Sequence, residues 1–152
     1  MHNRERELGL LISTCKYWNW LPGMLLVTKD GDRERIIKIR RSDGYVYLAS
    51  ELEEGLVGWF DPTDSYPDIY DPATLGCTLS LLRFRMKEPT LHLTPDKDGW
   101  YINKLSLDGP EWYCGNGMWG LDGCEAPVIF SSQQEAVAVT LSCLDINPNI
   151  VH

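Results

Sequence analysis

The chain has 152 residues, 43% of them hydrophobic and 24% charged, the balance of an ordinary globular protein and enough chain to bury about 68–70% of its unfolded surface. Against 14 Lys and Arg stand 22 Asp and Glu, a net charge of −8 with a pI of 4.8, so whole-molecule attraction to nucleic acid or an anionic membrane is not expected. No window approaches ~18 consecutive apolar residues, and the mixed charges of Met1 to Glu7 suit neither a signal peptide nor a membrane span.

The five cysteines, at 15, 77, 114, 124 and 143, are odd in number and scattered, and no Asn-x-Ser/Thr acceptor occurs. That pattern argues against a secreted disulfide scaffold and for a reducing cytoplasm. Repeats and low-complexity tracts are absent.

In chain order, Leu8, Leu11, Ile12 and Cys15 fall at helical spacing and predict an N-terminal helix over residues 3–17. Gly9 weakens that helix without vetoing it. Pro22-Gly23 breaks the pattern, Met24 to Thr28 reads as a strand, and Asp30-Gly31 turns into a second strand, Arg33 to Arg40. Ser42-Asp43-Gly44 then leads into Tyr45 to Leu48, and Leu56 to Phe60 would continue the meander.

Residues 61–70, with two prolines and no regular period, read as a connecting loop. Asp71 is a natural N-cap with Pro72 at the first helical position, and Leu75, Leu79, Leu82 and Met86 recur behind it. Cys77, Leu81 and Phe84 add a second stripe, so this helix is expected to be apolar over most of its circumference and centrally buried. Leu91 to Leu93 and Trp100 to Ile102 form a hairpin around the five-residue loop 95–99, and Glu111 to Tyr113 adds a strand. Four glycines make 114–124 an irregular loop, and Ser132-x-x-Glu135 is a capping box for a last helix with Val137, Leu141 and Leu144 inward. The expected fold is therefore α+β in a single domain, 1–152. A helix and an antiparallel β-meander (1–60) precede helix–β-hairpin–strand–helix (71–145).

No motif carries catalytic chemistry. Gly115-x-Gly117-x-x-Gly120 has the spacing of a dinucleotide loop but is followed by Asp122-Gly123 and Pro127, not by the helix whose N-terminus would hold a pyrophosphate. Cys114 and Cys124 flank that loop and have a disulfide, half a zinc site or a redox pair open to them, but with no C-x-x-C and no nearby His two packed free thiols are the expectation. The segment Asp96 to Gly99 fails the calcium-loop pattern, which would place Leu105 where a bidentate Glu is required. His92 is the one histidine away from the termini, and alternation in Leu91-His92-Leu93 turns it to solvent. Glu53-Glu54 reads as solvated surface. No metal, cofactor or catalytic residue is assigned.

Charge is segregated. Residues 29–41 carry Lys29, Arg33, Arg35, Lys38, Arg40 and Arg41 against three acids, whereas 51–71 carry seven acids and no base. The two segments either neutralise each other or form a dipolar interface. Six Trp and seven Tyr are many for this length, and Trp18, Trp20, Trp59, Tyr66, Tyr70 and Trp119 fall in expected loops, where exposed aromatics would mark a protein-binding surface.

The stretch Asp71-Pro72-Ala73-Thr74-Leu75-Gly76-Cys77-Thr78-Leu79 resembles the helix start of small uncharacterised proteins of tailed phages and prophages. Trp20-Leu21-Pro22-Gly23-Met24, Gly99-Trp100 and Glu135-Ala136-Val137-Ala138 are similar to flanking features of the same family. The resemblance implies a phage or prophage origin and life in a bacterial cytoplasm, and brings no activity or site residue with it. The element order over 71–145 is also compatible with a double-stranded-RNA-binding topology, but Ser131 to Glu135 lacks the basic residues such a module uses to grip phosphate.

Three functions are thus in play. The leading expectation is a non-catalytic phage accessory protein that binds a host or phage protein, as an antagonist of host defence, through the six aromatics. The alternative is a nucleic-acid binder using Arg33, Arg35, Lys38, Arg40 and Arg41 with Tyr45 or Tyr47. The third is a small-ligand site or enzyme around 114–124 and His92. A homodimer through short edge strands stays open.

Overall fold

The computed structural model describes residues 2–56, 58–115, 118–121 and 126–146. The fold is α+β, with four helices and two antiparallel four-stranded sheets. Contacts divide the chain into two compact units, one of residues 1–14 and 18–78 and the other of residues 15–17 and 79–152. The division falls inside a helix, not in the 61–70 segment.

In the first unit, helix α1 (His2–Ser13) precedes strands β1 (Leu25–Val27), β2 (Arg33–Ile39) and β3 (Val46–Leu48), a short helix α2 (Ala49–Glu53) and strand β4 (Tyr66–Pro67). The sheet order is β3-β2-β1-β4. The meander is as expected through its first three strands. Of the described residues in the expected strand Leu56 to Phe60, only Phe60 pairs, in an isolated bridge to Val46, after α2 has taken the chain away from β3. The fourth place in the sheet goes to β4, inside the expected loop 61–70, where Tyr66 and Pro67 pair with Val27 and Leu26. A two-residue strand containing proline has no alternation to read, and proline is tolerated there because β4 is an edge.

The core of this unit is Met24, Leu26, Ile36, Val46 and Leu48, with Trp18, Trp20, Leu21, Ile39, Phe60 and Cys77 packed against it. A bulge in β2 between Ile36 and Lys38 inserts Ile37, so that Ile36 and Ile39, three apart, both reach the same cluster. Leu8 and Ile12 of α1 are buried as expected, but Leu11 is 38% exposed, because the helix stops at Ser13 and only one narrow stripe is covered.

Gly9 explains its own presence in α1. A Cβ there would lie 2.5 Å from Tyr66 Cδ2 and 2.6 Å from the Pro67 carbonyl oxygen, so the missing side chain lets α1 rest directly on β4.

Helix α3 (Pro72–Met86) begins in the first unit and ends in the second. Asp71 caps it as expected, accepting the Thr74 N–H at 3.0 Å, while the Leu75 N–H closes the first helical turn on the Asp71 carbonyl at 2.9 Å. The expectation of burial around most of this helix is not met: Thr74, Thr78, Leu81, Leu82 and Met86 are buried, but Phe84 is 72% exposed. The inward stripe is part polar, which a count of apolar residues misses. The buried Thr78 hydroxyl is satisfied by the Thr74 carbonyl at 2.7 Å.

In the second unit, β5 (His92–Asp96), β6 (Gly99–Ser106), β7 (Gly109–Gly115) and β8 (Met118–Leu121) form a sheet in that order, followed by α4 (Gln133–Ile146), which lies against β6. The hairpin is tighter than expected. Pro95 and Asp96 belong to the edge strand β5, leaving Lys97-Asp98 as the turn. The irregular loop expected over 114–124 is in part strand β8. Gly120 sits opposite Trp112, where a Cβ would meet the indole nitrogen at 2.9 Å and Cys114 Sγ at 3.0 Å, so this glycine serves close packing within a strand. With β8 present, the second unit departs from the helix–hairpin–strand–helix order. Gly117 and Cys124 lie outside the described residues. The capping box forms at Ser132, whose hydroxyl accepts the Glu135 N–H at 3.0 Å, and Val137, Leu141 and Leu144 are fully buried. No described helix is long and apolar enough to cross a membrane.

Replacing Gly9 with Ala should destabilise the protein by about 1–3 kcal/mol through overpacking, although helix propensity alone favours Ala by ~1 kcal/mol. Urea denaturation reads the sign: a more stable variant would mean that α1 does not sit this close to β4.

Candidate functional site

The two charged segments meet, and the pairing of β2 decides how. Alternation places Glu34 on the face of Ile36 and places Arg33 and Arg35 on the other. Arg33 pairs with Asp68 and, at 3.4 Å, with Glu5. Arg35 grips Asp71 with two nitrogens, at 2.6 and 3.0 Å, and also donates to the Gly23 carbonyl at 2.9 Å. Asp71 in turn accepts from the Thr74 hydroxyl at 2.9 Å, and that hydroxyl accepts the Leu25 N–H at 2.7 Å. The guanidinium of Arg35 holds the Asp71 carboxyl below the usual range, and the Asp71 bond raises Arg35.

Beyond the bulge, Lys38 and Arg40 flank Ile39 and point away from the core. Lys38 lies 5.2 Å from the Tyr47 ring and 5.5 Å from Trp59; Arg40 lies 4.9 Å from Trp59 and 5.3 Å from Tyr45. Arg40 also pairs with Asp43, whose carboxyl it lowers. Arg33, Arg35 and Lys38 therefore share β2 and Arg40 directly follows it, but Arg33, Arg35 and Arg40 are each engaged by a carboxylate. Arg41 is exposed beyond the end of β2.

The six candidate aromatics are not brought together. Trp18 and Trp20 form an edge-to-face pair at 5.4 Å, half-buried on the first core. Trp59 lies in the Lys38 and Arg40 array, and Tyr66 is half-buried beside Gly9. Trp119 belongs to the second unit, half-buried against Tyr113 at 5.5 Å and Lys104 at 4.4 Å. Only Tyr70 of the six is exposed, at 38%.

What the structure does assemble is an acidic cleft. On the Glu34 side of the first sheet, a 390 Å³ cavity is lined by Asp30, Asp32, Glu34, Glu51, Asp61 and Asp64, with Lys29 as its one base. Leu48 and Phe60 supply apolar surface, and Thr28, Ser50 and Ser65 supply hydroxyls. Asp61 is held by the Thr63 N–H at 3.0 Å and by its hydroxyl, which lowers its carboxyl. The negative charge of Asp61 in turn pushes the nearby Tyr45 phenol up. Among the described residues, no cation pairs with the carboxylates of Asp30, Asp32, Glu34, Glu51 or Asp64. Three of these acids lie in the segment that reads as basic. The legible signal was the alternation of Arg33, Glu34 and Arg35, which sends opposite charges to opposite faces.

His92 Nδ1 lies 2.8 Å from the Thr90 carbonyl on an edge strand. Burial raises the thiols of Cys77 and Cys143, the reverse of nucleophile activation. Among the described residues, no group of three or more His, Cys, Asp or Glu could hold a metal ion.

Folding linkage gives the Arg35–Asp71 contact a pH signature. Asp71 is depressed in the folded state, so its contribution is present above the unfolded value, about 3.9, and is lost as pH falls through the folded value. Asp71→Asn, which keeps a capping oxygen, should cost about 1 kcal/mol at pH 7 and flatten the acid limb of stability against pH. Denaturation at pH 7 and pH 3 checks this; parallel acid limbs for the two proteins would show that the pairing carries no stability.

No protein-family model, curated protein or solved structure matches the chain.

Proposed function

We propose that this protein acts by binding, not catalysis, and that its partner is a protein presenting basic side chains to the acidic cleft of the first unit. The observation that carries the reading is the cleft itself: six carboxylates against one lysine, with none of the six in an ion pair among the described residues. A concave surface lined by one sign of charge concentrates oppositely charged groups and speeds their encounter. The engaged state of Arg33, Arg35 and Arg40 supports this over nucleic-acid binding, since a phosphate contact by any of these three would have to displace a carboxylate already in place.

The similarity of Asp71 to Leu79 to phage and prophage proteins sets the reading in a bacterial cytoplasm. There the partner is a host protein that the phage product occupies, as an antagonist of host defence, and no cofactor takes part.

The test is capture from bacterial lysate on tagged protein, with nuclease present, comparing the natural chain with the variant Glu51→Gln/Asp64→Asn. A nuclease-resistant protein should bind the natural chain, elute as salt rises, and bind the variant roughly tenfold less, a loss of about 1.4 kcal/mol. Equal capture by both would remove the cleft from the account, and retention of nucleic acid alone would move the function to β2.

A further inference from the structure

We propose that the acidic cleft is a receptor for an alkylammonium or guanidinium head carried on a methylene stem, the chemistry shared by Lys and Arg side chains and by free polyamines. This deepens the reading above and rests on the cleft being a binding site.

Two observations besides its charge define the ligand. Ser65 is only 6% exposed and lines the cleft, yet its hydroxyl makes no hydrogen bond to any described residue. The oxygen keeps contact with solvent at the cleft, and a donor entering the cleft can take the place of that water. The cleft is also two-natured. Leu48, 5% exposed, and half-buried Phe60 give it an apolar wall, while the carboxylates stand around it.

An inorganic cation has no use for that wall. A divalent ion needs several oxygens converging at 2.0–2.6 Å, and among the described residues no acidic group converges in that way. A methylene stem can lie along Leu48 and Phe60, where the Phe60 ring face also attracts a cation. Its terminal N–H groups then donate to the carboxylates of Glu51 and Asp64 and to Ser65 Oγ. The volume of 390 Å³ lies within the range of small-molecule sites, about 300–1,000 Å³, and accepts such a chain.

The experiment is calorimetric titration of the whole chain with spermidine and, separately, with a blocked peptide alternating lysine and glycine. Both are repeated in magnesium chloride and in sodium chloride matched for ionic strength. Glu51→Gln/Asp64→Asn and Ser65→Ala are titrated after circular dichroism shows that they fold. Saturable binding of at least one probe, equally affected by the two salts, weakened roughly tenfold by the charge variant and several-fold by Ser65→Ala, is the expected result.

A tighter peptide identifies a side chain of a protein as the natural ligand. Spermidine binding without peptide binding keeps the cationic receptor but overturns the protein-partner reading. No saturable binding of either probe, stronger competition by magnesium than by sodium, or unchanged affinity in both variants overturns the inference.

Discussion

The first unit depends on the two-pronged contact between Arg35 and Asp71. One carboxylate starts α3 by capping Thr74, accepts two guanidinium bonds from β2, and positions the Thr74 hydroxyl that receives the Leu25 N–H of β1. Three elements distant in the chain are thereby fixed around one charged pair. Side-chain bonds of this kind, charge-assisted and bidentate, are the stronger class and set direction as well as distance. Asp68, three residues earlier, repeats the arrangement with Arg33 and also accepts the Tyr70 N–H at 3.1 Å, so the chain entering α3 is pinned to β2 at two points.

That pinning has an electrostatic consequence on the opposite side of the sheet. Strand alternation separates Arg33 and Arg35 from Glu34, and the arginines engage Asp68 and Asp71. Six other acids, Asp30 and Asp32 on the turn, Glu34, Glu51 on α2, and Asp61 and Asp64 on the return segment, line one cleft. A chain with a net charge of −8 must keep unneutralised carboxylates somewhere. Six of the 22 acids stand together in this one cleft, an arrangement that solubility alone does not require.

Much of the fold was legible because its signals were local. Asp71-Pro72 and Ser132-x-x-Glu135 marked the two long helices through the chemistry of their caps, and Asp30-Gly31 and Ser42-Asp43-Gly44 marked the turns of the meander. What was not legible depended on partners far along the chain. The strand Tyr66–Pro67 exists because β1 offers it an edge, and among the described residues of Leu56 to Phe60 only Phe60 pairs because α2 diverts the chain before it. Gly9 and Gly120 look like weaknesses in sequence, but the structure uses each for close approach. The site was half legible. The segregation of charge along the chain was visible, but counting signs over 29–41 hid the fact that its three acids leave the basic face. The burial of the aromatics was hidden for a related reason: a tryptophan in a loop can still be a lid on the core, as Trp18 and Trp20 are.

The central claim is that function resides on the acidic side of the first sheet and not on the arginine side. The most direct measurement is a chemical-shift map of the isotope-labelled chain titrated in parallel with a lysine-rich peptide and with a short DNA duplex at the same ionic strength. The account predicts that the peptide perturbs residues 28–34, 48–51 and 60–65 while the duplex leaves β2 unshifted. Shifts produced by the duplex at Arg33, Arg35, Lys38 and Arg40, with none from the peptide in the cleft, would contradict it.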